Sequence, residues 1–166
     1  MFTNAVLRAA ASGAIAIGLL AAAPSVDANA AHHKLSHRER TAKKIGSAFD
    51  VARNQKGDPY RYGAAGPGAF DCSGLTYFSF RRAGFSNIPR TSSGQAKFAR
   101  RISRKNMKRG DLMFFYDGGG VYHVGVYAGK GDQGRRWVLH APHSGTRVRT
   151  DRVWNNHWFA GTLRNR

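Results

Sequence analysis

The chain has one cysteine, Cys72, among 166 residues, so no internal disulfide can form. Acidic residues are also scarce: 9 Asp and Glu stand against 27 Lys and Arg, a net charge of +18. Such an imbalance favours polyanionic partners. No apolar run reaches the ~20 residues of a membrane-spanning helix. HExxH is absent, and no close Cys/His pair of zinc-site spacing precedes the C-terminal half. There is no internal repeat and no low-complexity linker.

What is present begins with an export signal. Arg8 precedes the apolar run Ala9 to Ala23, Pro24 breaks it, and Ala28-Asn29-Ala30 offers a small-x-small cleavage site. Residues 1–30 are therefore expected to be a signal peptide. The expected location is secreted: periplasmic or associated with the cell wall, with no membrane span after cleavage. Losing Arg8 and Asp27 together leaves the net +18 unchanged. Outside the cytoplasm, wall polymers carrying carboxylates and phosphates suit that charge better than nucleic acid, for which there is no motif. Exported proteins pair their structural cysteines. Cys72 is then a buried hydrophobe, an intermolecular link or a reactive thiol.

Residues 31–41, "AHHKLSHRERT", are basic and lack apolar periodicity, which predicts a flexible arm. From 42 to 166 the pattern is that of one domain. Ala42, Ile45, Phe49 and Ala52 recur at helical spacing, with an end near Gly57 and Pro59. Residues 58–70 form a Gly/Pro-rich loop. Asp71 can cap a helix beginning near Cys72 and running through "SGLTYFSFRRAG", with Arg81 and Arg82 suiting its C-terminal end and Gly84 a natural stop. A short helix is expected over 94–101. Beyond Met107 five β-prone stretches follow, at 111–116, 123–129, 136–142, 146–151 and 158–164. Their short connections predict an antiparallel sheet, so the fold class is α+β, N-terminal helices packed on about five central strands.

Position gives Cys72 a chemistry. A thiol at a helix N-terminus meets the positive end of the peptide dipoles, which favours the thiolate, and free N–H groups there can hold an oxyanion. A cysteine nucleophile needs a base, usually histidine. His32, His33 and His37 lie in the arm and suit a fixed site poorly. His123 shares a strand face with Gly125 and Tyr127, opposite Val124 and Val126. His140 ends the neighbouring strand on the same face as Val138, where one ring could orient the other. A Cys72, His123, His140 and His143 metal set is the competing use, but Pro142 forbids helical spacing in "HAPH". No metal and no cofactor are expected.

Five pieces in order then carry a resemblance: "DPYRYGAAGPGAFDCSGLTYFSF", "IPRTSSGQA", "MKRGDLMFFY", "YHVGVYAGKG" and "VLHAPHSGTRVR". Together they resemble the NlpC/P60 family of papain-like cell-wall endopeptidases over about residues 42–164. The resemblance implies a papain-like fold with Cys72 as nucleophile, His123 as general base and His140 as the residue orienting it. It places Tyr60 at the oxyanion and substrate pocket, and Asp71 and Ser73 in the wall around the substrate peptide. Arg90, Thr91 and Ser92 match a motif bordering the groove, without individual roles. Gly63-Ala64 departs from the family's usual paired glycine, and Gly118-Gly119-Gly120 makes a loop of unusual freedom before His123.

The activity implied is hydrolysis of peptidoglycan stem peptides through a thioester. The bond implied is that between D-glutamate or D-isoglutamine and the diamino residue. The expected protein is a monomer whose partners are peptidoglycan and anionic envelope polymers. Two alternatives stay open on the same fold: a non-catalytic wall-binding or regulatory module, and a related amidase or transpeptidase.

Overall fold

A computed structural model describes residues 35–164. The signal-peptide expectation for residues 1–30, and the first part of the arm, lie outside these residues. The first helix starts earlier than apolar periodicity suggests. Helix α1 spans His37–Arg53, and Ser36 caps it in a reciprocal box with Glu39. Residues 37–41 are therefore helical rather than a free arm, and Thr41 is already buried. Helix α2 covers Cys72–Arg82, capped by Asp71 through the Gly74 N–H. Its C-terminus passes through Ala83 to Gly84, whose φ of 90° is the left-handed geometry a helix stop uses. Helix α3, Ser92–Phe98, starts two residues earlier than expected because Thr91 caps it.

The sheet has six strands, one more than the sequence predicts. They are β1 (Arg100–Ile102), β2 (Leu112–Asp117), β3 (Gly120–Lys130), β4 (Arg136–His140), β5 (Arg149–Arg152) and β6 (Trp158–Thr162). All neighbours pair antiparallel, in the order β1-β6-β2-β3-β4-β5. The extra strand, β1, is three residues long, begins with two arginines and sits at the edge beside β6. Short, charged edge strands resist pairing with other chains, and such residues carry little β signal.

Both faces of the sheet are covered, which accounts for the unbroken apolar run Leu112–Phe115. One face packs Leu112, Phe114, Val124 and Val126 against Ile45, Phe49, Leu75 and Phe80 of the helices. The other gathers Met113, Phe115, Tyr127, Val138 and Trp158 under Ile102, Met107 and Val153. Between Phe115 and Tyr116 the β2–β3 register slips: Phe115 opposes His123, while Tyr116 opposes Val121. Tyr122 is the extra residue of this bulge, a device that re-aims side chains beside it. Among the described residues no helix is long and apolar enough to cross a membrane.

Candidate active site

Cys72 is the first residue of α2, a half-buried thiol and the chain's free cysteine. Backbone N–H groups of Ser73 and Val124 lie near its sulfur and favour the thiolate. The Val124 contact brings the helix start against β3 one residue beyond His123. Gly74 makes the loop approach possible from the other side. A Cβ there would lie 2.0 Å from the Ala64 carbonyl oxygen, so any side chain would push the 60–66 loop away.

Asp71 ties this corner together. Its carboxylate accepts from the Gly74 N–H at 2.6 Å, the Gly63 N–H at 2.9 Å and the Ser73 hydroxyl at 3.2 Å. Arg90 grips it with both terminal nitrogens, at 3.0 and 2.6 Å, and donates also to Ser73 Oγ and the Ala64 carbonyl. Burial pushes the Asp71 carboxyl upward, but the Arg90 and Gly74 hydrogen bonds outweigh it and hold the group below the usual range. Asp71 and Ser73 do line a cavity, yet the carboxylate is spent on the protein's own donors. Removing it would strip a helix cap and leave a partly buried guanidinium unpaired. Asp71→Ala is expected to lower stability by about 3 kcal/mol, the low end for a broken buried pair because Arg90 keeps solvent contact. Urea unfolding checks this; a loss under about 0.5 kcal/mol, the range of ordinary surface changes, would contradict it.

On the opposite wall a polar relay runs across three strands. His123 Nε2 lies 2.8 Å from His140 Nδ1, and His140 Nε2 lies 3.0 Å from Asp151 Oδ2. Arg149 Nε donates to the same Asp151 oxygen at 2.7 Å. The diagonal His123–His140 contact needs space, which Gly125 supplies: a Cβ there would lie 2.3 Å from Val138 and 3.1 Å from the His140 Cβ. Burial raises the Asp151 carboxyl, but Arg149 and His140 outweigh it, so it stays ionised. Burial lowers His140 despite the pull of Asp151. Burial, then His140 and His143, lower His123 to about 3. Both rings are therefore neutral near pH 7, and the tautomers follow. An ionised carboxylate only accepts, so His140 carries its proton on Nε2. His140 Nδ1 then accepts from His123 Nε2–H, which leaves His123 Nδ1 with a free lone pair.

Trp154 closes this face. It stacks on Phe115 at 4.2 Å and on His140 at 5.4 Å, and meets His123 edge-on at 5.8 Å. A cavity of about 710 Å³ holds Cys72, His123, His140, Asp151, Trp154 and Tyr60 in its walls. A second, of about 460 Å³, is walled by Asp71, Ser73, Arg90 and Tyr62. Tyr60, Cys72 and Tyr122 belong to both, so the thiol sits at a junction with room on either side.

A model of the NlpC/P60 family matches residues 57–166. The chain belongs to the NlpC/P60 family. It is 40% identical over 121 residues to a protein of Corynebacterium glutamicum called "Probable endopeptidase", covering 73% of this chain and 52% of that one. The chain thus spans about half the length of that curated relative. The crystal structure of the NlpC/p60 domain of the peptidoglycan hydrolase SagA superposes with a TM-score of 0.63 at 30% identity, covering 72% of this chain and 98% of that domain. The peptidoglycan hydrolase RipB of Mycobacterium tuberculosis superposes with a TM-score of 0.62 at 29% identity, covering 75% and 66%.

In this NlpC/P60 domain the expected Cys72, His123, His140 and Tyr60 share one cavity, while Arg90, Thr91 and Ser92 border the adjoining one. His143 lines the larger cavity without joining the relay. No cluster of three or more metal-ligating side chains occurs among the described residues. Sequence reasoning missed Asp151, Arg149 and Trp154. The "TRVRTD" stretch reads as a solvated edge strand, and nothing local shows that its aspartate faces a histidine.

One expectation is reversed. Burial pushes the Cys72 thiol up, over the opposing Val124 and Ser73 hydrogen bonds, and the Asp71 charge adds to the rise. The helix-terminal field is real, but Asp71 places a negative charge at the same terminus. Resting thiol and resting imidazole are both neutral.

The buried neutral His123 also sets an acid limit. Its ordinary value is 6.5 and its folded value about 3, so below pH 6.5 the unfolded chain takes up the proton first. Stability is therefore lost as pH falls from about 6.5 toward 3, by on the order of 5 kcal/mol in all. Urea titrations from pH 7 to pH 4 should show this slope, and His123→Gln should flatten it. An equal slope in both proteins would contradict the assignment.

Proposed function

We propose that the chain is a cysteine endopeptidase that cuts peptidoglycan stem peptides. The observation that carries this reading is that Cys72 and the His123–His140–Asp151 relay line one cleft. His123 Nδ1 takes the thiol proton as Sγ attacks the peptide carbonyl. The oxyanion is held by the backbone N–H groups of Cys72 and Ser73, at the start of α2, and by the Tyr60 hydroxyl. Burial keeps Tyr60 above its ordinary value, so it remains a donor. Protonated His123 passes its proton to the leaving amine, and the bond to nitrogen breaks. Water, deprotonated by the same nitrogen, then attacks the thioester carbonyl and releases the acid and the thiol. His140 and Asp151 are positioning residues: they fix which nitrogen of His123 is free.

The bond we assign is that between D-glutamate or D-isoglutamine and the diamino residue. Residues 1–30 act as the signal peptide, the catalytic domain, expected from residue 42, takes in the whole of α1 from His37, and the enzyme works in the wall as a monomer. Mass spectrometry of purified peptidoglycan after digestion tests the reading. The expected products are a dipeptide remnant on the sugar and fragments with a new amine on the diamino residue. Loss of the whole peptide from the sugar would indicate an amidase instead. Joined stems would indicate a transpeptidase, and intact wall a binding module.

A further inference from the structure

A second polar cavity lies along the same strand as His140. It measures about 410 Å³ and is walled by Arg135, Arg136, Arg152, Val153, Asn155, Asn156 and Trp158, with Gly134 at its edge. Arg136, Val138 and His140 alternate along β4 onto one sheet face. Four residues of strand span about 13 Å, which sets the distance from the relay to this cavity. Arg152 lines both cavities, and the loop after β5 is shared between them: Trp154 faces the relay, while Val153, Asn155 and Asn156 face the arginines.

The charge here is uncompensated. Among the described residues, no ion pair joins Arg104, Arg135, Arg136 or Arg152 to a carboxylate. Arg135 donates to the Gln133 amide, and Arg104 to the Asn156 and Trp158 carbonyls. Arg104 and Arg136 both lie over Trp158, at 4.0 and 5.6 Å from its ring centroid. Asp132 belongs to an adjoining hollow with Arg135 and Arg152, one carboxylate against two guanidinium groups. Arg136 Nε is buried and has no hydrogen-bond partner. A buried, charged donor left unpaired is costly and marks a place where a ligand atom completes the structure.

We propose that this cavity is an anion site for a phosphate ester, placed to hold a phosphate-bearing envelope polymer while the peptide occupies the cleft. Three guanidinium groups around one cavity carry more positive charge than a single carboxylate balances. Successive phosphodiester groups of one polymer bring an anion for each guanidinium, and arginine forks suit phosphate oxygens. The adjoining position of the cavities makes the site an anchor for a polymer rather than a second reaction centre. The anchoring role rests on the proposed peptidase reading; the binding itself does not.

The full chain titrated with inorganic phosphate, and separately with soluble poly(glycerol phosphate), tests it by nitrogen-15 NMR of the arginine Nε–H groups. The Arg136 resonance should shift most, and Arg136→Gln should weaken poly(glycerol phosphate) binding at least tenfold. Arg135→Gln, at an exposed position that folding tolerates, should weaken it at least threefold. Arg38→Gln, which removes the same charge from α1, should change it less than twofold. Vesicles of phosphatidylglycerol separate a lipid source from a polymer source: tighter polymer binding supports the anchor, and tighter vesicle binding overturns it. Stronger binding of polyglutamate than of poly(glycerol phosphate) overturns the phosphate assignment. So does equal weakening by Arg38→Gln. Arg135→Gln should keep the wild-type rate on a soluble stem peptide and lower it at least threefold on phosphate-bearing walls. If the wild type cleaves neither substrate while phosphate still shifts Arg136, the peptidase reading has failed and the anion site stands.

Discussion

Cys72→Ala should abolish release of peptide fragments from peptidoglycan, a fall of about 10⁴-fold or more. The size follows from the route. In the proposed chemistry the bond from Sγ to the carbonyl is the first one made, and alanine offers nothing to make it. The N–H groups and the cleft would remain, so binding should survive. The substitution trims one half-buried sulfur and should cost no more than about 1 kcal/mol of stability. Unfolding curves and wall-binding measurements on the variant separate loss of chemistry from loss of fold. Fragment release by Cys72→Ala within tenfold of wild type would be incompatible with a thiol nucleophile.

His123→Gln should lower kcat/KM by about 10³-fold, or about 4 kcal/mol of transition-state stabilisation. This loss is larger than for a thiolate-based site because the thiol is not ionised at rest. Burial raises Cys72 and lowers His123 to about 3, so both partners wait in their neutral forms. The proton must move as the bond forms, and only a lone pair within the relay can take it. Glutamine keeps a donor toward His140 but has no basic nitrogen. Raising the pH should then rescue part of the variant's rate, as hydroxide replaces the base. A variant that retains more than a tenth of wild-type kcat/KM at pH 7 would show that His123 is not the base. Asp151→Asn acts one step further away: it should lower kcat with little change in KM, because the amide no longer dictates the His140 tautomer.

How much was readable in advance depended on whether the determinants were local. Helix α2 was legible in its cap and its stop, since Asp71, the two terminal arginines and Gly84 are all neighbours in sequence. The start of α1 was legible in principle, because Ser36 and Glu39 spell a capping box, but periodicity alone begins at Ala42. Strand β1 was not, because an Arg-Arg-Ile edge strand is defined by its partner β6. The shared face of His123, Gly125 and Tyr127 followed from alternation, and the diagonal contact with His140 from antiparallel pairing. The direction of the Cys72 shift was misjudged. A sequence shows a helix start, but not the burial and the neighbouring Asp71 charge that outweigh it. Asp151 and Trp154 reach the site across strands and from a loop, and no spacing rule connects them to His140.

The most direct measurement is an intact-mass analysis of the protein quenched with acid during turnover of a stem-peptide substrate. The thioester is stable in acid, so the acyl portion should remain attached and map to the Cys72 peptide in wild-type protein. It should accumulate further in Asp151→Asn if deacylation slows, and be missing from Cys72→Ala. Turnover with no acyl adduct on Cys72 at any quench time, or an adduct on another residue, would contradict the account.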